Sequence, residues 1–203
     1  MRSKENKSVL KTIRLTNELE HILQMDAKSK KINVGTLLSS ILSKYAEWDR
    51  FTEKYGFVSM TREFLKLILA IVDVDKLKDV VSAYHGTAGP REFLTFRSKR
   101  INIETVLEHI SSACKYAGSA EYDVGTHAKD HIITIHHDRG QKWSEILALV
   151  WADGLIKNTL GLRTHYEITN NSIVIRFSED WQKQNGTCLR CRRSITIKDT
   201  VIN

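Results

Sequence analysis

Apolar and polar residues alternate along Thr12-Ile13-Arg14-Leu15, and this two-residue period predicts a short strand with Ile13 and Leu15 on one face. Thr12 and Arg14 share the other. Beyond a capping Thr16-Asn17, the apolar positions Leu19, Ile22, Leu23 and Ala27 recur every three or four residues, predicting a helix to about Ser29. Lys28-Ser29-Lys30-Lys31 ends it. Asn33 is placed to cap a second helix, whose apolar set Leu37, Leu38, Ile41, Leu42, Tyr45 and Trp48 keeps the helical period for about six turns. The next segments, Met60 to Val74 and Lys76 to Tyr84, also read as helices. Phe64, Leu65, Ile68, Leu69 and Val72 are the expected core face of the first, and Leu77, Val80 and Val81 that of the second.

His85-Gly86-Thr87-Ala88-Gly89-Pro90 is the strongest turn cluster and predicts a boundary. Beyond it, Glu92–Phe96 reads as a strand; Ile103, Val106, Leu107, Ile110, Cys114 and Ala117 line a helix; and Tyr122–Val124 and His131–His136 read as strands. A long helix from Trp143 to Thr159 follows. Tyr166–Ile168 and Ser172–Phe177, joined by Thr169-Asn170-Asn171, then form a hairpin. The expected class is α+β, with an antiparallel sheet of ferredoxin-like kind carrying its helices on one face. No internal repeat or low-complexity tract stands out. The expected organisation is a strand–helix–helix module at residues 8–55, a helical connector at 56–88, an α+β sensing or assembly domain at 91–178 and a basic tail at 179–203.

With 41% hydrophobic and 27% charged residues among 203, the chain can bury a core, which excludes wholesale disorder. Its net charge of +7 is uneven: residues 1 to 54 carry 11 basic and 7 acidic groups, whereas residues 55 to 177 carry 15 and 14. The basic excess at the ends favours a polyanionic partner. No apolar run reaches the roughly 18 residues of a membrane span, and MRSKENKS leads into no signal-like stretch. An odd count of three cysteines argues against a disulfide framework and for a reducing cytoplasm.

A lone strand cannot satisfy its own backbone donors and acceptors, and two short helices make a thin core, so the first module calls for a second copy. Antiparallel pairing of two such strands about a twofold axis buries Ile13 and Leu15 and turns Thr12 and Arg14 outward on a ribbon that fits the DNA major groove. The module resembles the ribbon-helix-helix repressors of CopG, Arc and MetJ type. The resemblance rests on Thr12-Ile13-Arg14-Leu15-Thr16, the Leu19, Leu23 and Ala27 ladder, and Ile32-Asn33-Val34-Gly35-Thr36 leading into Leu38, Ile41 and Leu42. It covers about a quarter of the chain. It implies base contacts from Leu10, Thr12 and Arg14, and a phosphate clamp at Asn33, Val34 and Gly35, where a helix N-terminus offers free N–H groups. Leu10 can read only a thymine methyl, and Lys11 stands where the family usually has an inward apolar residue. The alternative is an ordinary edge strand with Arg14 solvated.

Five of the eight histidines (His127, His131, His136, His137 and His165) fall between residues 127 and 165, but no ligand spacing is recognisable and neighbouring strand positions face opposite ways. No metal and no cofactor is expected. Cys188-Leu189-Arg190-Cys191 has the spacing of half a zinc site, the alternative being two thiols in a basic tail. His136–Ser144 resembles an element of uncharacterised archaeal proteins with a ribbon-helix-helix N-terminus, which implies an archaeal source and no known activity; a structural turn with a packed Trp143 is the plainer reading. No nucleophile–base pair, P-loop or dinucleotide fingerprint is present, so no enzyme is expected. The expected function is a sequence-specific DNA-binding regulator. It acts on double-stranded DNA as a homodimer or a tetramer formed by two dimers, away from membranes, under an unidentified effector. The other readings are an antitoxin-like interaction module and a metal-responsive sensor or metalloenzyme. The overall architecture resembles the nickel-responsive repressors, whose ligand pattern is not evident here.

Overall fold

Five of the described helices begin where a short polar side chain, Thr16, Asn33, Thr61, Asp73 or Asn102, accepts a hydrogen bond from a backbone N–H that the helix leaves unpaired. The computed structural model describes residues 9–86, 89–117 and 120–182, and the chain divides into two units, Met1–Asp49 and Arg50–Asn203. Residues 56–88, the expected connector, fall within the second unit. In the first unit, Thr16 caps α1 (Asn17–Ser29), its Oγ1 accepting from Leu19 N at 3.3 Å. Lys31 reverses the chain in the left-handed region (φ 56°), and Ile32 N donates back to Ala27 O. Asn33 then caps α2 (Val34–Lys44), which continues as a π-helical turn over Tyr45–Asp49.

In the second unit α3 (Arg62–Ile71) is capped by Thr61, and the Asp73 carboxylate accepts from Asp75 N and Lys76 N at the start of α4 (Val74–Gly86). Lys142 closes the far end of α3. Its Nζ donates to the carbonyls of Leu69 and Val72 at 2.8 and 2.9 Å, a cation set at a helix C-terminus. Only part of the expected core face is buried here: Leu69 and Val81 are inside, whereas Phe64 and Val80 are 56% and 64% exposed.

Residues 92–96 are helical, which corrects the expected strand: they lie in α5 (Gly89–Ser98). Pro90 suits the first turn of a helix, where its missing N–H has no intrahelical role. A helix also sets Phe93 and Arg97 one turn apart, and both reach His109 of α6 (Ile103–Tyr116). The Phe93 ring meets the imidazole edge-on at 5.3 Å, and Arg97 Nη1 lies 3.3 Å from its Nδ1. A strand would point them alike but spread them by a further 7 Å or so.

The rest is two hairpins, each preceded by a helix: α6, β1 (Glu121–His127) and β2 (Asp130–His136), then α7 (Gln141–Leu147), β3 (Thr164–Ile168) and β4 (Ser172–Ser178). α7 runs on as a π-helix over Ala148–Thr159. All pairings are antiparallel and the strand order is β1-β2-β4-β3. With residues 92–96 helical, a βαββαβ order of ferredoxin-like kind is not formed. Instead the unit repeats αββ about a pseudo-twofold axis through the Ile133–Ile175 pair: Asp130 faces Ser178, and His136 faces Ser172. The repeat escapes the sequence because the two copies share apolar pattern but few identities. One sheet face is packed: His131, Ile133 and Ile135 of β2 and Ile173, Ile175 and Phe177 of β4 are all buried. The other carries Ile132 and Arg176 and is solvated.

Gly154 and Arg91 accommodate the π-helix. A Cβ at 154 would overlap the His85 ring, so glycine allows that imidazole to approach the backbone, and Arg91 Nη2 donates to the carbonyls of Asn158 and Thr159 at 3.3 Å each. Among the described residues no helix is long and apolar enough to cross a membrane. Burial, reinforced by the Arg97 charge, pushes the His109 imidazole down to about 3 from an ordinary 6.5. As pH falls below 6.5 the unfolded chain takes up a proton that the folded chain refuses until about pH 3, so this part of the stability is lost across that window. The thermal midpoint is expected to fall more steeply between pH 6.5 and 3 in the natural protein than in His109→Gln; parallel curves would contradict this.

Candidate nucleic-acid interface

Residues 9–16 form neither helix nor ladder among the described residues, so the predicted strand is not formed there. Its side chains behave unequally. Leu15 packs with Val34 and Leu38 against the buried cluster of Leu23, Ala27 and Leu37, while Ile13, expected on the same inward face, is 61% exposed. Val9 and Leu10 are exposed, as are Leu19, Ile22 and Met25 of α1 and Ile41, Leu42 and Tyr45 beyond them. The first unit therefore leaves more large apolar side chains in water than it clusters inside.

The residues expected to meet DNA are all accessible except Val34. Thr12 and Arg14 are exposed and Leu10 is almost fully so, at 94%. Asn33 Oδ1 accepts from Thr36 N at 2.7 Å, which takes one of the orphan donors of α2 and leaves the amides of Val34 and Gly35 at the positive end of the helix dipole. Gly35 keeps that end open. A Cβ there would stand 3.3 Å from Asn33 Oδ1, so any larger residue crowds the cap and covers the amides.

The histidines do not converge. His127, His136 and His165 lie on the solvated face of the sheet by strand register, and His131 lies on the packed face. Among the described residues no three His, Cys, Asp or Glu side chains are grouped to hold an ion. His137 is tied into a backbone node. Its Nδ1 accepts from Arg139 N at 3.2 Å, its Nε2 lies 2.8 Å from Ser144 Oγ, and Ser144 in turn donates to Thr169 O at 2.6 Å. With Nδ1 accepting, the proton sits on Nε2 and the imidazole is a donor to the serine, the reverse of what a nucleophile's base requires. Burial and the neighbouring Arg139 hold this imidazole below the usual histidine range, in keeping with a neutral ring. Arg139 lies over Trp143 at 5.2 Å, and Asp138 pairs with Arg62 at 2.8 Å. The stretch His136–Ser144 is thus a hydrogen-bonded turn at the start of α7. Cys114 is inert, its thiol pushed up to about 12 by burial, and Cys188 and Cys191 lie outside the described residues.

The chain matches no known family's sequence model and no curated protein. Sequence reading weighed His131 only as a member of the histidine cluster; in the structure it lines a cleft in the second unit with Glu179, which was not singled out. The available signal was its place in β2: a histidine in step with Ile133 and Ile135 on the inward face. Ser144→Ala removes a fully buried hydroxyl that joins Thr169 O to His137, and is expected to cost about 1–3 kcal/mol in denaturant unfolding. A loss below about 0.5 kcal/mol would show that the node is not structural.

Proposed function

We propose that the chain is a homodimeric, sequence-specific DNA-binding regulator whose first unit is a ribbon-helix-helix module. The observation that carries this reading is segment 9–16, which joins no helix or ladder among the described residues, carries exposed Ile13 and is followed by exposed Leu19 and Ile22. Pairing the segment antiparallel with its copy in a second chain satisfies the backbone groups of both and covers Ile13. It also turns Thr12 and Arg14 out on one face of a two-stranded ribbon, with the reach to enter a major groove. The basic excess of residues 1 to 54 and the open amides at Val34 and Gly35 suit the flanking phosphates. The second unit then serves as the sensing or assembly part of an α+β regulator.

Sequences selected from random duplex DNA at a stated salt concentration supply a cognate site for testing this. Arg14→Ala is expected to cost about 1–3 kcal/mol on that site and much less on random duplex, because a guanidinium on a base edge discriminates between sequences. Gly35→Gln, which crowds the α2 amides, is expected to weaken cognate and random duplex alike. Equal losses on both duplexes for Arg14→Ala would contradict its reading role, and failure to select any sequence would contradict the regulator itself.

A further inference from the structure

The αββ repeat has two equivalent ends, and they are finished differently. The displacement along the chain that takes Asp130 to Ser172 also takes Asn102 to Ser144 and His137 to Glu179. At one end His137 and the fully buried Ser144 fill the space with hydrogen bonds. At the other, Asn102 and Glu179 border a cleft of about 740 Å³. That volume lies within the range of small-molecule sites, and the sealed end shows that the fold does not itself require a hollow there.

The cleft has apolar walls and an acidic rim. Ile103, Leu107, Leu160 and Leu162 supply the walls, and among the described residues the carboxylates of Glu104 and Glu179 are the charged groups that line it. Glu104 pairs with the guanidinium of Arg100 at 3.7 Å, whereas Glu179 has only the His131 imidazole, at 3.5 Å, as its ion-pair neighbour among the described residues. Glu179 is fixed in place: its N–H donates to Lys129 O at 3.1 Å, and the next residue, Asp180, pairs with Lys129 Nζ at 2.9 Å. Beside it stands His131, 6% exposed, its ring stacked on Phe177 at 4.8 Å and its Nδ1 3.3 Å from Thr126 Oγ1. His131 Nε2 makes no hydrogen bond, although the Glu179 carboxylate comes within 3.5 Å. An N–H donor entering beside these two groups completes both. An anion is disfavoured here by the two carboxylates, Glu104 and Glu179, on the rim.

We propose that this cleft binds a small organic cation, an amine with an apolar body whose ammonium group pairs with Glu179 beside His131. The site lies wholly within the second unit and stands whether or not the first unit binds DNA.

Titration of the full chain with hexylamine, hexan-1-ol and hexanoate, read by calorimetry and by the His131 ring signals in NMR, tests it. Hexylamine is expected to bind saturably, about tenfold or more tighter than hexan-1-ol, with hexanoate weakest, as one charge-assisted hydrogen bond implies. Glu179→Gln is expected to abolish that preference, and Leu107→Trp, which fills the cleft, to abolish binding of amine and alcohol together. If Leu107→Trp does not fold, a saturable shift of the His131 ring on amine addition to the natural protein supports the site, and an unmoved ring overturns it. Equal affinity for amine and alcohol, preference for hexanoate, or amine binding that survives Glu179→Gln would each overturn the proposal.

Discussion

An extended backbone in water keeps its hydrogen bonds to solvent, but one flanked by apolar side chains gains by pairing, and residues 9–16 are in that position. Ile13 is exposed, while its inward neighbour Leu15 is already docked on α1 and α2. The segment is thus anchored at one end with its ladder groups unused. A cluster of Leu23, Ala27 and Leu37 is too small to hold such a unit by burial alone, at roughly 1.5–3 kcal/mol for each large side chain against the entropy of ordering the segment. The association with a second copy proposed above would use both the backbone and the exposed apolar groups.

The second unit meets its constraints internally. Its sheet buries one face through the paired β2 and β4 strands, and its helix ends are closed by charges drawn from elsewhere in the fold: Lys142 on the carbonyls of α3, Arg91 on those of the π-helix. These contacts span 73 and 67 residues of sequence, so they join the helical part of the unit to the sheet part. Polar residues inside are engaged in the same way, as Arg97 is with His109 and Ser112. The His131–Glu179 pair is one place where this economy stops, since a buried ring nitrogen is left without a hydrogen bond at the wall of a cleft.

Local signals in the chain were read well where one residue decides one structure. Thr16 and Asn33 announced their helices as caps, and the alternation in His131–His136 and Ser172–Phe177 announced two of the strands. Misreading came where local pattern and tertiary contact disagree. Glu92–Phe96 has a strand's composition, yet Phe93 and Arg97 gain more by meeting His109 from a helix. Gly86 to Pro90 carries turn residues, yet Pro90 lies in the first turn of α5. The pseudo-twofold repeat was invisible because it is written in spacing, with Ile133 opposite Ile175, and hardly in shared residues. The histidine cluster was correctly seen as dense in sequence, but strand register scatters it over both sheet faces and only a fold can show that.

The account turns on residues 12–15 of one chain lying beside the same residues of another. Isotope-filtered NOE spectra of a mixed sample, half labelled and half unlabelled, measure this directly. The account predicts intermolecular contacts between the backbone protons of Thr12 to Leu15 and those of the partner's copy, in an antiparallel pattern. Contacts confined to one chain, or a monomer at the concentrations of the experiment, would contradict it.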